Sequence, residues 1–218
     1  MDFMKDTTRR LNAVCFIEAA QELIDTEGPD QVSVRKIAAK AGFHNSTIYL
    51  YFKDVDQLVM LASLKYFERY SKALARQSLK NVSYPENFLA IWSFFGETVF
   101  AQPQIFYNFF FGKHSEDLTD VIKLYYELFP EEKEEYSTEI ESMFYGRNIT
   151  ERCLRLLEPM TKEKTSVTED NLELVNDIIV NCLKGLLEQK LQNPQMDEKA
   201  LNERLLDMIV YTVGMYTR

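Results

Sequence analysis

The chain lacks the features that mark membrane, secreted and strand-rich proteins. It has no run of about 18 uncharged apolar residues, so we expect no membrane-spanning helix. Its first residues do not combine a basic segment with an apolar stretch and a cleavage site, so we expect a cytoplasmic protein. Only 7 glycines and 6 prolines occur in 218 residues, and no Val/Ile/Thr-rich run is bounded by turn residues. The sequence therefore predicts an all-α fold.

Cysteine and histidine are also scarce. The 3 cysteines, Cys15, Cys153 and Cys182, are odd in number and far apart, which favours buried reduced thiols over a disulfide framework. The 2 histidines, His44 and His114, form no metal-ligand spacing with them. The chain also lacks a glycine-rich phosphate loop and a nucleophile elbow, which argues against an enzyme. We predict no metal and no cofactor.

Negative charge predominates, yet one segment has none. The formal net charge is -9, whereas residues 31–53 contain no Asp or Glu and carry Arg35, Lys36, Lys40 and Lys53. A short cationic segment in an acidic protein indicates a surface that binds phosphates, such as those of a nucleic acid.

The cationic segment divides into two helices. Ser33 is a suitable N-cap for the first helix, and Ile37 and Ala38 belong to its apolar stripe. Gly42 ends this helix, because glycine readily adopts the left-handed conformation of a tight exit. Phe43 can then pack into the corner between the two helices.

The second helix starts at His44, Asn45 or Ser46 and turns Ile48 and Phe52 inward. Its opposite side presents hydroxyls, an amide and a phenol. These groups hydrogen-bond base edges and phosphate oxygens. The pair of helices therefore predicts a helix-turn-helix.

Several short segments in the first 60 residues follow one known order and spacing: residues 16–20, 23–24, 28, 32–38, 41–42, 46–49 and 51–53. They resemble the DNA-binding domain of TetR-type transcriptional regulators. The resemblance implies a three-helix N-terminal domain that binds double-stranded DNA. It also implies a larger helical domain for ligand binding and dimerisation.

The resemblance assigns roles to individual side chains of the helix-turn-helix. It places Arg35 at a base or a phosphate, and Asn45 and Thr47 in the major groove. It places three later side chains on the DNA backbone: Tyr49, Tyr51 and Lys53. The predicted DNA-binding residues are Ser33, Arg35, Lys36, Asn45, Ser46, Thr47, Tyr49, Tyr51 and Lys53.

Two positions depart from the family pattern. His44 stands where a small residue such as Ser usually caps the recognition helix, and His is the weaker cap in principle. Asn45 stands where a basic residue is common, which favours amide-based readout, for example of adenine.

Structural roles remain open for four of the basic and aromatic side chains. Lys36 and Lys40 can simply form a solvated face of their helix. Tyr49 and Tyr51 can pack into the core, although Ile48 already occupies the inward stripe.

Asp54 is predicted to cap a long helix of about 25 residues, which ends at residues 81–85. This helix leads from a DNA-binding domain of residues 1–53 into a second domain of residues 54–218. It is either a lever between the two domains or a plain structural helix.

Residues 85–112 are dense in aromatic side chains and predict the centre of the second domain. The helix from Pro85 is apolar nearly all round, and Pro103 begins a shorter helix that Gly112 ends. Such aromatic stripes either form core or line a small-molecule cavity. The predicted ligand-binding residues are Phe88, Trp92, Phe95, Gln104, Phe106, Asn108, Phe110 and Tyr125.

Three more helices are predicted before the C-terminal pair. One covers residues 116–129, one begins at Pro130 with a carboxylate-rich first turn, and one covers residues 148–160. A polar connector follows over residues 161–169.

The last two helices carry wide apolar stripes. One side of each stripe can cover the aromatic core while the other packs against the same pair of a second subunit. An intrachain hairpin is the alternative. The family resemblance also implies this dimer, and two recognition helices related by a twofold axis read a palindrome. The predicted interface residues are Val175, Ile179, Cys182, Leu186, Leu201, Leu205, Met208 and Thr212.

Two function classes follow. The first is a homodimeric transcriptional repressor that an apolar or amphipathic small molecule releases from a palindromic operator. The second is a helical small-molecule or lipid carrier that uses the same cavity and binds no DNA. The carboxylate-free helix-turn-helix favours the first.

Overall fold

The computed structural model of the protein describes residues 7–215. Within this range the chain forms α-helices and short 3-10 helices without any β-strand, which confirms the all-α prediction. No helix in the same range is both long and apolar enough to cross a membrane. The α-helices are α1 (Thr7–Glu27), α2 (Val34–Ala41), α3 (Val55–Ser63), α4 (Glu68–Ser78), α5 (Tyr84–Ala101), α6 (Pro103–Phe111), α7 (Leu118–Leu128), α8 (Thr138–Phe144), α9 (Ile149–Leu157), α10 (Leu172–Gln192) and α11 (Glu198–Val213).

The chain divides into two compact units. Unit 1 consists of the chain up to Glu68 together with Asp117–Lys133, and unit 2 consists of Arg69–Glu116 together with the chain from Glu134 onward. Helices α1 to α3 and α7 therefore belong to unit 1. Helices α5, α6 and α8 to α11 belong to unit 2, as does α4 from Arg69. The division into functional domains at residues 53 and 54 stays a prediction.

Phe16 of α1 lies at the centre of the unit 1 core. Its side chain is fully buried, and its ring centroid lies 4.8 Å from that of Phe43, 5.6 Å from that of Tyr51 and 6.2 Å from that of Phe52. Aromatic contacts of this kind contribute beyond the apolar area they bury. They join α1 to the turn after α2 and to the residues that precede α3.

The long helix predicted from Asp54 is interrupted. Asp54 caps α3 as predicted, and its carboxylate accepts a bond from a backbone N–H of the first turn at 2.8 Å. A 3-10 segment, Leu64–Phe67, then separates α3 from α4. Within it, Lys65 and Tyr66 both donate to the carboxylate of Asp25 in α1. Helical periodicity cannot reveal such a long-range contact, so the interruption was not predicted.

Helix α5 forms the centre of unit 2, as predicted for the aromatic region. Helix α11 approaches α5 closely at Gly96, where a Cβ atom would overlap the side-chain amide of Asn202. The Asn202 amide nitrogen donates to the carbonyl of Ser93 at 3.1 Å. The buried side chains of α5 are Phe88, Ile91, Trp92, Phe95, Val99 and Phe100.

The helix predicted from Pro130 is wrong. Only a three-residue 3-10 helix forms there, Pro130–Glu132, and α8 begins at Thr138. The carboxylates that favour a helix N-terminus also repel one another at helical spacing, for example Glu131 and Glu135. The helix predicted over residues 148–160 is present as α9 followed by the 3-10 helix Glu158–Lys162.

All three cysteines are free, but only one of them is buried as predicted. Cys153 is buried, and burial raises the pKa of its thiol, whereas Cys15 and Cys182 are half-buried. The thiols are thus partly or wholly shielded. In the described residues no group of His, Cys, Asp and Glu side chains is arranged to hold a metal ion.

Candidate functional site

Capping residues define the helix-turn-helix of unit 1. Ser33 accepts a bond from the backbone N–H of Lys36 at 3.4 Å, at the start of α2. Gly42 ends α2 with a φ of 78°, in the left-handed region that favours glycine. The Nδ1 atom of His44 accepts the backbone N–H of Ser46 at 3.3 Å and lies 2.8 Å from its hydroxyl. His44 therefore caps the helix that follows.

That helix, Asn45–Leu50, is a 3-10 helix rather than an α-helix and is called the recognition segment here. Ile48 and the following Phe52 are buried, as predicted from their spacing. Thr47 is half-buried. The exposed side chains of the recognition segment are Asn45, Ser46, Tyr49 and Leu50.

Three predicted DNA-binding side chains are exposed and make no side-chain hydrogen bond or ion pair within the part of the chain that the structure describes. Among residues 7–215, Arg35, Asn45 and Tyr49 have no partner in a side-chain hydrogen bond or ion pair. A guanidinium, an amide and a phenol are thus available on one helix-turn-helix. These groups suit phosphate oxygens and base edges.

The lysines of this region are engaged in surface ion pairs. The pairs are Lys36 with Glu27 at 2.6 Å, Lys40 with Glu22 at 2.5 Å and Lys53 with Asp117 at 3.3 Å. Exposed pairs contribute only about 0–1 kcal/mol, so a DNA phosphate can compete for these lysines. Their contact with DNA stays a prediction.

Tyr51 has a structural role. Its side chain is half-buried, its hydroxyl accepts a bond from the Asn12 amide at 2.9 Å, and its ring packs against Phe16. The Arg9 guanidinium lies 5.8 Å from the same ring. This arrangement matches the packing alternative, and Tyr51 contributes to the unit 1 core whether or not DNA is bound.

A small cavity lies in the aromatic core of unit 2. Its volume is about 20 Å³, which holds one water molecule and no larger ligand. Trp92 and Phe95, two of the predicted ligand-binding residues, line it, and their contact with a ligand stays a prediction. The full lining is Tyr70, Ile91, Trp92, Phe95, Met143, Ile149, Arg152, Cys153 and Leu156.

The other predicted ligand-binding residues are dispersed. Three of them are buried core residues of unit 2 that do not line this cavity: Phe88, Phe106 and Phe110. Gln104 and Asn108 bond each other at 3.3 Å on the surface of α6. Tyr125 belongs to unit 1, where its hydroxyl donates to Glu132 at 2.7 Å.

Arg152 is a cavity residue that the sequence-based reasoning missed. It is 2% exposed, its Nη1 atom donates to the carbonyl of Phe144, and its guanidinium lies 5.2 Å from the Phe144 ring. Burial raises the pKa of the neighbouring Tyr70, and Arg152 acts in the opposite direction. The missed signal is its spacing: Arg152 follows Ile149 by three residues and precedes Leu156 by four, on the apolar face of α9.

Trp92 adds a second polar group to the cavity wall. Its indole Nε1 is buried and has no hydrogen-bond partner among the described residues. Buried donors of this kind are normally satisfied, and an unsatisfied one is costly. A water or a ligand acceptor in this cavity would relieve that cost.

Comparison with known proteins identifies the helix-turn-helix. Residues 16–60 match the family model described as "Bacterial regulatory proteins, tetR family". The N-terminal unit contains a tetR-family domain. This confirms the resemblance seen in the sequence, and it supports a regulator rather than an enzyme. No curated protein matches the chain.

Solved structures of tetR-family regulators share the fold of nearly the whole chain. FadR of Thermus thermophilus, in complex with lauroyl-CoA, has a TM-score of 0.61 at 14% identity and covers 94% of this chain and 96% of its own. FadR of Bacillus subtilis, in complex with stearoyl-CoA, has a TM-score of 0.56 at 17% identity and covers 92% and 99%. FadR of Bacillus halodurans, a fatty acid degradation regulator, has a TM-score of 0.56 at 16% identity and covers 95% and 97%.

The interface residues predicted for the last two helices are mostly core residues of their own chain. Five are buried within unit 2: Val175, Ile179, Leu186, Leu201 and Leu205. The remaining three are half-buried: Cys182, Met208 and Thr212. A wide apolar stripe cannot by itself reveal which side is covered within the chain, so the sequence selected the wrong side for those five.

The outer face of this helix pair carries a different apolar set. Leu174 is 64% exposed, Ile178 is 40% exposed and Tyr211 is 73% exposed. Leu174, Ile178 and Gly185 recur at helical spacing along α10, and space is open around Gly185. This set, together with the half-buried Cys182, is called the outer face here.

The tetR-family domain allows a test that separates base readers from backbone anchors. Asn45→Ala should cost roughly 1–3 kcal/mol on the preferred operator and relax one base position in each half-site. Lys53→Ala should weaken all duplexes alike and lower the salt slope by about one unit per contact. Quantitative binding to operator and scrambled duplexes over a range of salt concentrations measures both effects.

Asp117→Asn is the matched control for Lys53. It removes both a negative charge and the ion-pair partner of Lys53 at 3.3 Å, so it should raise affinity for every duplex up to about fivefold, and by more when Lys53 is present than when it is replaced. If Lys53→Ala alters base preference while Asn45→Ala alters only overall affinity, the orientation of the recognition segment in the groove is wrong.

Proposed function

We propose that the protein is a homodimeric transcriptional repressor that leaves a palindromic operator when a small apolar or amphipathic molecule binds in unit 2. The observation that carries this proposal is the tetR-family helix-turn-helix with Arg35, Asn45 and Tyr49 exposed and unengaged. These side chains belong to a segment without carboxylates in an acidic protein. That pattern suits DNA.

The dimer is proposed to form through the outer face of α10 and α11. Leu174 and Ile178 are exposed apolar side chains about one helical turn apart on α10, and Tyr211 is exposed on α11. Gly185 of α10 leaves room for a second helix to approach closely. A second copy with the same face would cover them in a four-helix arrangement. Two recognition segments would then read two half-sites.

The effector is proposed to enter the aromatic core by opening it. The cavity holds about one water, so a larger ligand requires side chains such as Met143 and Trp92 to move. A ligand that binds only the opened core favours that state by its differential affinity. The acyl-CoA complexes of the structurally similar FadR proteins support an amphipathic effector.

The 3-10 segment Leu64–Phe67 is proposed to act as the hinge of the switch. It falls at the boundary between the two units, and 3-10 stretches between α-helices often mark functional hinges. The predicted lever from Asp54 would thus bend at this segment. The hydrogen bonds that Lys65 and Tyr66 donate to Asp25 would stabilise either the DNA-binding state or the ligand-bound state of the protein.

Retention on duplex DNA separates this proposal from the carrier alternative. A cytoplasmic carrier with net charge -9 should pass through a heparin or random-duplex column at low salt. A repressor should be retained and should elute with rising salt. The carrier hypothesis has no account of the exposed Arg35 and Asn45.

The sole tryptophan provides a direct test of the coupling between effector binding and release from the operator. Because Trp92 lines the cavity, an effector should change its fluorescence and should lower operator affinity over the same concentration range. Fluorescence titration and DNA-binding titration with one acyl-CoA preparation measure the two responses. A fluorescence change without any loss of DNA affinity would refute the proposed switch.

A further inference from the structure

A second basic segment without carboxylates begins in helix α4 and continues beyond its end. Residues 69–85 contain no Asp or Glu but carry Arg69, Lys72, Arg76 and Lys80. Arg69 and Arg76 lie seven residues apart on α4 and share one face, and Lys80 follows two residues after the helix ends at Ser78. In a chain of net charge -9, this face is unusual and indicates an anionic ligand.

This face forms one wall of an open cleft in unit 2. The cleft has a volume of about 360 Å³, within the range of small-molecule sites. Helix α5 supplies the opposite wall. The lining residues are Arg69, Tyr70, Ala73, Arg76, Lys80, Phe94, Glu97 and Thr98. Three cations thus face a single carboxylate.

The cations of the cleft are available to a ligand. Arg69 is paired with Glu97 at 3.5 Å, but both side chains are at least half exposed, so the pair is weak and exchangeable. The Nε atom of Arg76 donates to the carbonyl of Lys72 at 3.1 Å, which positions the guanidinium without neutralising it. The ammonium of Lys80 has no partner among the described residues.

Tyr70 connects this cleft to the aromatic core. Its side chain is 2% exposed and lines both the cleft and the cavity of Trp92 and Arg152. Its ring centroid lies 5.4 Å from that of Phe95. A ligand held by the cations would therefore have its apolar part beside Tyr70, whose ring also lines the core cavity.

We propose that the cleft binds the phosphate-bearing head of an amphiphile whose apolar chain passes Tyr70 into the aromatic core. Arg and Lys are the side chains that bind phosphate oxygens most strongly. Arg69, Arg76 and Lys80 all line the cleft, and three cations suit a head with several phosphates better than one carboxylate. An acyl thioester of coenzyme A has this chemistry. The inference rests on the proposed function, because it names the class of effector.

Charge reversal in the cleft tests the assignment. The double variant Arg76→Glu with Lys80→Glu should weaken lauroyl-CoA binding about tenfold to a hundredfold and reduce its salt dependence. Arg76→Lys should retain most of the affinity. Lys164→Glu, an exposed lysine outside the cleft, is the control for net charge. Isothermal titration measures binding, and thermal unfolding confirms that each variant is folded.

Four probes identify the part of the ligand that the cleft recognises. Lauroyl-CoA should bind most tightly, coenzyme A weakly, laurate weakly and equally in wild type and double variant, and a single-chain lysophosphatidic acid in between. Equal binding of laurate and lauroyl-CoA, or unchanged lauroyl-CoA affinity in the double variant, would overturn the assignment. So would tighter binding of lysophosphatidic acid, which would identify a lipid headgroup site.

DNA binding without ligand separates this inference from the proposed function. Both Arg76→Glu and Lys80→Glu should leave ligand-free operator affinity within about twofold, because unit 1 carries the DNA contacts. A large loss would mean that the cleft face binds the DNA backbone and would overturn the inference. If no duplex is bound by wild type, the repressor proposal fails, whereas the lauroyl-CoA titration still decides the cleft assignment.

Discussion

Leu174→Arg should convert the dimer into a monomer and lower operator affinity by about 10²- to 10⁴-fold. The substitution would place an unpaired charge in an apolar interface, where burial is costly. Loss of the second subunit removes the effective concentration that joins two half-sites. Light scattering and duplex titration measure the two effects. Ile178→Arg should act in the same way, because both side chains lie on the outer face.

Leu79→Arg is the matched control for this change. Leu79 is 87% exposed and lies outside the outer face, so the same substitution there should leave the dimer intact. Arginine at Val175, Ile179 or Leu205 is a different experiment, because these residues are buried in unit 2 and the charge would unfold the chain. A dimer that survives both Leu174→Arg and Ile178→Arg would place the interface elsewhere.

Phe16→Ala should destabilise unit 1 by about 3–5 kcal/mol and abolish DNA binding. The side chain is fully buried and packs against Phe43, Tyr51 and Phe52, so its removal leaves a cavity under the recognition segment. The dimer should persist, because its proposed interface belongs to unit 2. Hydrogen exchange should report lost protection in α1 to α3 and retained protection in α5 and α10.

Leu11→Ala provides the comparison on the same helix. Leu11 is 60% exposed, so its truncation should change stability by no more than about 0.5 kcal/mol. Uniform loss of protection across both units in Phe16→Ala would contradict the assignment of Phe16 to a separately organised core. Retained operator binding would contradict its role beneath the recognition segment.

Local signals made the helix-turn-helix predictable from sequence. Ser33, Gly42 and Asp54 act through their own neighbours, as an N-cap, a left-handed exit and a second N-cap. Ile48 and Phe52 follow helical spacing, which describes a short helix whether its form is α or 3-10. The all-α fold followed from the same kind of evidence.

Features that depend on distant contacts were not predictable in this way. The 3-10 segment Leu64–Phe67 is held by Asp25, and Lys53 is paired with Asp117, each across a long stretch of sequence. The helix predicted from Pro130 does not form, because the carboxylates of its own acidic segment repel one another at helical spacing. The spacing of Arg152 in α9 indicates a buried side chain, whereas its charge favours an exposed one. The structure follows the spacing.

Helical periodicity also cannot tell two apolar faces apart. The stripes of α10 and α11 are wide enough to serve the core and a partner, and the predicted interface fell largely on the side that faces the core. Burial in the structure separates them: Val175 and Ile179 belong to the core, whereas Leu174 and Ile178 face outward. For the same reason, some of the predicted ligand-binding residues lie in the core and others lie on the surface.

Selection of bound duplexes from random DNA tests the central claim most directly. The full chain should enrich a palindrome whose half-sites lie about one helical turn or a multiple apart, and light scattering should detect at least two protomers on each duplex. Arg35→Ala and Asn45→Ala should abolish or alter the enriched sequence. Failure to enrich any duplex, with passage of the wild-type protein through a DNA column at low salt, would contradict a DNA-binding repressor and favour the carrier.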